Sequence, residues 1–359
     1  MTDGPAAGQA RPLPYALGFV GGGLERHAER RGAATALAAV PEARALLMWR
    51  GRPLVSGPPE APRLAWRPLT APLPGQGDGE GDGEGDSQGD SQRNGARIYL
   101  GEVAGHDGLA GPLFAIDISG WAPEGADPGD PGPGRWGEDQ PAPPELGGPE
   151  PDARFADLRA LTARLAPFDA EVAATAKGIL EWHRTHGFCA ACGAPSVLEQ
   201  GGWQRRCPAC GRAHFPRTDP VVIMLVTDGN RLLIGRSPAW PEGFYSLLAG
   251  FMEPGETVAA AVRREVAEET AVACGRVRLL NSQPWPFPAS LMIGCIAEAT
   301  SRAITVDPAE LDDALWVTRE ELLAIYAGTH PTITAPRHGA IAGHLMHLWL
   351  ADRLDSSDI

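Results

Sequence analysis

Apolar and polar residues alternate over 44–56, RALLMWRGRPLVS, on either side of Arg50-Gly51-Arg52, which predicts two strands joined by a tight turn. Residues 63–69, RLAWRPL, predict another strand, and 96–119 a further hairpin. From Asp152 to His186 the period lengthens. FADLRALTARL and EVAATAKGILEWHRTH carry apolar residues at helical spacing, with a break near Pro167. After a short cysteine-rich stretch, 220–236 predicts a strand, a turn at Asp228-Gly229-Asn230 and a second strand. A glycine-bounded loop and helix follow over 250–270, then strand-like segments over about 277–306 and a C-terminal helix over about 338–352. Strands wrapped with helices point to an α/β (α+β) layer fold. No short motif repeats, although both halves carry hairpins.

This pattern divides the chain into a β-rich region over 1–151, linker helices over 152–187, a cysteine-rich unit over 188–216 and a last domain over 217–352. Two low-complexity stretches interrupt the first region. Residues 74–95, built around GQGDGEGDGEGDSQGDSQ, have no apolar anchor and read as a solvated, disordered acidic insertion rather than a calcium loop. Residues 121–151 are rich in Pro and Gly and read as a long loop or linker.

The 359 residues are enough for two or three domains with a sizeable core, and 43% hydrophobic content is ordinary for a globular chain. No apolar run reaches the length of a membrane span, and the N-terminal residues lack a basic stretch followed by a long apolar one. A cytoplasmic protein with no membrane partner is expected. A net charge of −14 argues against broad nucleic-acid binding but leaves a nucleotide substrate open, because a bound divalent cation can supply local positive charge. Lys177 is the only lysine. With the heavy Ala, Gly and Pro usage, the arginine bias reflects GC-rich coding rather than function.

Cys189-x2-Cys192 and Cys207-x2-Cys210 stand fourteen residues apart. Four thiolates at that spacing can close a tetrahedron around Zn2+, and Gly193 and Gly211 supply the tight turn after each pair. Such a set leaves no open position for chemistry, so its role is structural. Two paired knuckles plus the isolated Cys274 and Cys295 suit a reducing compartment better than a disulfide framework.

In the helix over 250–270, Glu265, Glu268 and Glu269 are spaced i, i+3, i+4, which sets three carboxylates on one face. Val258, Val262 and Val266 form the face that docks. A solvated acidic face is the bland account of such a cluster. Here, however, the acids follow a Gly-rich loop and lie beside Arg263 and Arg264. Carboxylate oxygens suit hard cations such as Mg2+ or Mn2+, which neutralise phosphate charge and activate water.

The run from Gly250 through Glu256, Arg264, Glu265, Val266, Glu268 and Glu269 to Val272 resembles the Nudix box. One position departs: the family's closing Gly is Ala271, which would cost about 1 kcal/mol if positive φ is required there. Downstream, Ser282-Gln283-Pro284-Trp285-Pro286-Phe287-Pro288-Ala289-Ser290 resembles the signature of NADH pyrophosphatases, the NAD+ diphosphatase family with a zinc ribbon. Trp182 to Gly193 and His214-Phe215-Pro216-Arg217 resemble that family's entry to and exit from its ribbon. The resemblance covers about 180–345 well and the N-terminal half loosely.

The resemblance implies a Nudix α/β/α sandwich with a mixed sheet, preceded by the ribbon and the N-terminal β-rich domain. It implies metal-dependent hydrolysis of the diphosphate of NAD(H) to NMN(H) and AMP. The alternatives are removal of an NAD cap from RNA 5′ ends, or action on another nucleoside diphosphate derivative such as ADP-ribose. A different class, a zinc-ribbon nucleic-acid binder with a vestigial Nudix fold, is disfavoured by the intact acids. Glu265, Glu268 and Glu269 would bind the metals, with Glu310 as a further acid near them. Arg264 would orient a glutamate, and Glu256 would pair within the loop–helix unit. Phe251 and Phe215 would stack on the nicotinamide ring, Phe215 across a homodimer interface and in place of the family's frequent Tyr. Ala342 would offer a backbone contact to the base. The substrate run would bring Ala289 and Ser290 to the ligand, with Ala289 in place of a frequent Gln.

Overall fold

The computed structural model describes residues 16–71, 73, 96–121, 139–142, 146 and 150–354. The expected acidic insertion at 74–95 lies outside them, as does most of the Pro/Gly-rich segment at 121–151. The described residues fall into two compact units. One comprises 16–18, 221–282 and 293–354, and the other 19–220 and 283–292.

In the unit of residues 19–220, the alternating stretch at 44–56 folds as β1 (Arg44–Trp49) and β2 (Arg52–Ser56). Arg50 and Gly51 between them both have positive φ, 50° and 74°, as a two-residue hairpin turn that follows the strand twist requires. The strand expected at 63–69 is two short ones, β3 (Arg63–Leu64) on β2 and β4 (Trp66–Pro68) on β1. β5 (Arg97–His106) and β6 (Leu109–Asp117) form the expected second hairpin, again turning through two positive-φ residues, Asp107 and Gly108. With β7 (Gln140–Pro141) and β8 (Arg154–Phe155), the sheet order is β5-β6-β1-β2-β8-β7. β1 and β6 run parallel and the rest of the printed pairs antiparallel, so the sheet is mixed. One face packs on the long helix Pro167–Thr185, where Phe168, Val172, Ala176 and Ile179 join Leu46, Met48, Ile98 and Leu100 in one core. The break expected near Pro167 is the start of this helix. Proline's fixed φ and missing N–H cost nothing in the first turn.

The same unit holds the ribbon's three-stranded sheet: β9 (Val197–Glu199), β10 (Gln204–Arg206) and β11 (Ala213–His214). His183, near the end of the long helix, fastens this sheet. Its Nε2 donates to the Gly202 carbonyl at 2.7 Å, and its Nδ1 accepts from Arg205 Nη1 at 2.9 Å. Burial pushes the imidazole down to about 4, consistent with this neutral form.

The last six strands are β12 (Asp219–Asp228), β13 (Arg231–Arg236), β14 (Leu248–Phe251), β15 (Cys274–Trp285), β16 (Ser290–Ala299) and β17 (Asp313–Thr318). They are ordered β15-β16-β12-β13-β17, with β14 on β12. Apart from β3 and β7, which have no counterpart, this repeats the order of the first sheet: β15-β16 matches β5-β6, β12-β13 matches β1-β2, β17 matches β8, and β14 matches β4. The chain thus carries two versions of one topology without a shared short motif. Helices Val258–Thr270, Arg319–Tyr326 and Ile341–Leu350 complete this part. Among the described residues, no helix is long and apolar enough to cross a membrane.

Candidate active site

The helix Val258–Thr270 begins where the Thr257 hydroxyl accepts from the Ala260 amide at 3.2 Å, an N-cap. Val262 and Val266 are fully buried in the core with Val222, Leu233 and Leu248. That docking face carries Glu265 and Glu269, one turn apart, inward to buried positions. Glu310 comes from the turn after β16, which is tied to the helix end by Thr305 N–H to Thr270 O (2.9 Å) and Asp307 N–H to Glu269 O (3.1 Å). One carboxylate oxygen from each of Glu265, Glu269 and Glu310 lies within 4.8 Å of the others. Glu268 is exposed and stays outside this trio, its carboxylate held by Arg264 at 2.9 Å.

Arg264 organises the surroundings. Its Nε and Nη2 clamp both oxygens of Glu256 at 2.7 and 2.9 Å, its Nη2 also donates to the Phe251 carbonyl at 2.9 Å, and its Nη1 reaches Glu265 at 2.9 Å. One guanidinium therefore joins β14, the loop and the helix. The bond from Arg264, with a backbone amide bond at Glu253, holds Glu256 down to about 2, and Arg264 is raised in return. Gly250 is the close-approach residue. A Cβ built there would overlap the Glu265 carboxylate, so the box begins with glycine.

The trio is electrostatically uncomfortable by itself. Burial, and then the charges of Glu265, Glu310 and Glu268, push Glu269 up to about 8; burial also raises Glu265. Glu269 Oε2 is buried without a hydrogen-bond partner. A set of crowded carboxylate oxygens with one orphaned acceptor fits a hard divalent cation, which would satisfy the oxygen and neutralise the charge. At the helix end Ala271 does adopt positive φ, 57°, with its N–H on the Ala267 carbonyl at 2.9 Å.

The four cysteines also converge, with Sγ atoms within 4.8 Å of one another: Cys189–Cys210 at 3.6 Å and Cys192–Cys207 at 3.5 Å. Gly193 and Gly211 turn back at positive φ and donate to the carbonyls of Cys189 and Cys207, both at 2.9 Å. The Ala191 amide hydrogen bond leads in lowering the Cys189 thiol, favouring the thiolate that a metal binds. His214 Nε2 also lies 3.3 Å from Cys189 Sγ. This partner went unassigned in the sequence, although a histidine four residues past the second CxxC is a visible cue.

Phe251, at the end of β14, is 59% exposed, and Ala342 is buried at the start of the C-terminal helix; both belong to the unit that carries the carboxylates. Phe215, Ala289 and Ser290 belong to the other unit. Phe215 is 66% exposed just past β11, and the Ala289 carbonyl accepts from the Asp219 amide at 2.8 Å. The aromatic loop packs on its own unit's core. Trp285 and Phe287 stack edge-on at 5.0 Å and meet Phe19 at 6.2 and 6.3 Å. Trp285, Ala289 and Ser290 also line an apolar cavity of about 250 Å³ with Ile179 and Trp203.

Family comparisons agree with this assembly. A NUDIX domain model matches residues 217–335, an NADH pyrophosphatase zinc ribbon domain model 184–215, and an NADH pyrophosphatase-like rudimentary NUDIX domain model 42–182. The chain is 45% identical over 193 residues to the NAD-capped RNA hydrolase NUDT12 of Homo sapiens, covering 51% of this chain and 42% of that protein. It is 40% identical over 204 residues to the NAD-capped RNA hydrolase NudC of Stutzerimonas stutzeri, covering 57% and 70%. It is 37% identical over 211 residues to the NudC of Mycobacterium bovis, covering 56% and 67%. The match thus spans less than half of the NUDT12 relative and about two thirds of the NudC proteins. The chain belongs to the NADH pyrophosphatase family of Nudix hydrolases, with its zinc ribbon.

Proposed function

We propose that this protein hydrolyses the diphosphate of NAD(H), adding water across the P–O–P bridge to give NMN(H) and AMP. The observation that carries the reading is the Glu265, Glu269 and Glu310 trio with an orphaned buried oxygen, braced by Arg264 and Gly250. A divalent cation, Mg2+ or Mn2+, when bound supplies charge neutralisation on the diphosphate and acidifies the attacking water. Glu265, Glu269 and Glu310 would hold it, and Glu268, on the same helix and bonded to Arg264, would join them. Arg264, saturated by Glu256 and the Phe251 carbonyl, keeps the helix in register with β14. Phe251 offers an exposed ring face for a planar base, and Phe215 a second one in a homodimer. Following the family resemblance, we assign further substrate contacts to Ala289, Ser290 and the Ala342 backbone. The four clustered cysteines would hold a structural Zn2+, a use of paired thiols that suits a reducing compartment such as the cytoplasm.

A second reading, removal of the NAD cap from RNA, is favoured by the activity for which the NUDT12 and NudC relatives are named. It needs the same bond cleavage. The net charge of −14 favours the small substrate, because RNA binding depends on phosphate neutralisation. Equal concentrations of NADH and a short NAD-capped RNA, each with Mg2+ or Mn2+, separate the two by initial rate. Faster release of NMNH and AMP from NADH is expected. Faster decapping would transfer the main role to RNA, and cleavage of neither would remove both readings.

A further inference from the structure

Lys177 plays no part in the chemistry above, yet its setting is unusual. Among 31 Lys and Arg residues it is the one lysine, in a chain whose composition otherwise places arginine at every basic position. It lies on the long helix Pro167–Thr185 and lines a cavity of about 340 Å³ with Arg50, Gly51, Ser119, Glu181 and Arg184. Among the described residues the amine has one hydrogen-bond acceptor, the Gly51 carbonyl at 3.0 Å, and it stands 5.6 Å from the Phe287 ring centroid. Gly51 approaches the amine closely: a Cβ built there would lie 2.6 Å from Nζ.

The acids around the cavity are engaged elsewhere. Arg184 clamps Glu181 at 2.8 and 2.6 Å, and Ser119 donates to Asp117 from both its amide, at 2.9 Å, and its hydroxyl. Burial leads in lowering the Lys177 amine from its ordinary value. Arg159 and Arg184 push the same way, while Glu181 and Asp157 oppose them. A lysine so placed is a stronger nucleophile at neutral pH than an exposed one, a property arginine does not share.

We propose that Lys177 is an acyl-acceptor site, modified by small activated acyl compounds that enter this cavity. In the step, the Nζ lone pair attacks the carbonyl carbon of an acyl phosphate or acyl thioester and an N–C bond forms. The bond to phosphate or thiolate breaks, and the amine proton leaves with that group or with solvent. The product amide keeps one N–H for the Gly51 carbonyl and removes a poorly solvated charge, so the site tolerates the product.

The full-length folded protein, treated with acetyl phosphate at neutral pH beside a lysine-containing reference peptide and mapped by peptide mass spectrometry, tests this. Acetylation at Lys177 should run several-fold faster than on the reference peptide, because burial lowers the amine and leaves more of it neutral. The advantage should vanish in urea. Acetyl thioester in a parallel arm distinguishes the donor classes, and reaction with either one supports the site. A Lys177 that labels no faster in the folded than in the unfolded protein overturns the proposal.

Discussion

Glu269 shows how a single side chain is set against its own fold. Its folded value of about 8 lies above the ordinary 4.5, so between these values the folded protein holds a proton that the unfolded chain has released. Without metal, stability must therefore fall as pH rises through that window. Glu269→Gln cannot ionise. It should unfold at higher urea than wild type at pH 8, by a few kcal/mol, and match it near pH 4, while losing turnover. An identical pH slope in both metal-free proteins would show that Glu269 is not the strained group. Ala271 is a smaller case. Its positive φ was foreseeable only as a condition, because the sequence marks a departure from the box and not the backbone angle. Ala271→Gly should stabilise the protein by roughly 1 kcal/mol in chemical denaturation. Gly250 was legible as part of a motif, but its reason, the Glu265 carboxylate pressed against it, needed coordinates.

Among the elements, hairpins and the acidic helix were readable because their signals are local. Two-residue turns, a threonine cap and a valine stripe all lie within a few positions of what they specify. β17 and the helix Arg319–Tyr326 were missed despite a local sign: Thr318 and Glu321 make a reciprocal capping box at 3.2 and 2.7 Å. The strand at 63–69 split because its two halves pair with different neighbours, which periodicity cannot report. The ribbon's thiols were legible by spacing, whereas the His183–Arg205 lock joins residues with no sequence relation. Chelation or Cys207→Ser should destabilise the ribbon by several kcal/mol, since structural zinc contributes folding free energy directly. Metal analysis of protein prepared without chelator should find one zinc per chain; its absence would leave the four thiols as an ordinary reduced cluster.

At the scale of the whole molecule, the two sheets repeat one order, β5-β6-β1-β2-β8 and β15-β16-β12-β13-β17, and in the second the acidic helix lies between β14 and β15. At the equivalent place the first half carries the GDGE-rich segment, which lacks the Arg-Glu-x-x-Glu-Glu pattern. The repeat escaped sequence reading because topology survives when motifs do not. Assembly is the other question at this scale. A homodimer that shares Phe215 predicts that inactive Glu269→Gln and Phe215→Ala chains, once mixed, regain part of the activity neither has alone. A fully active monomer by light scattering would make Phe215 an ordinary surface ring.

The most direct test of the central claim is the metal-dependent fate of NADH. Purified protein stripped of divalent cations, then given Mg2+ or Mn2+ and NADH, should release NMNH and AMP in equal amounts by mass spectrometry. Glu269→Gln, folded by circular dichroism, should release neither above background. Full activity without divalent metal, or wild-type rates in Glu269→Gln at limiting metal, would contradict the assignment of the carboxylate trio as the site of hydrolysis.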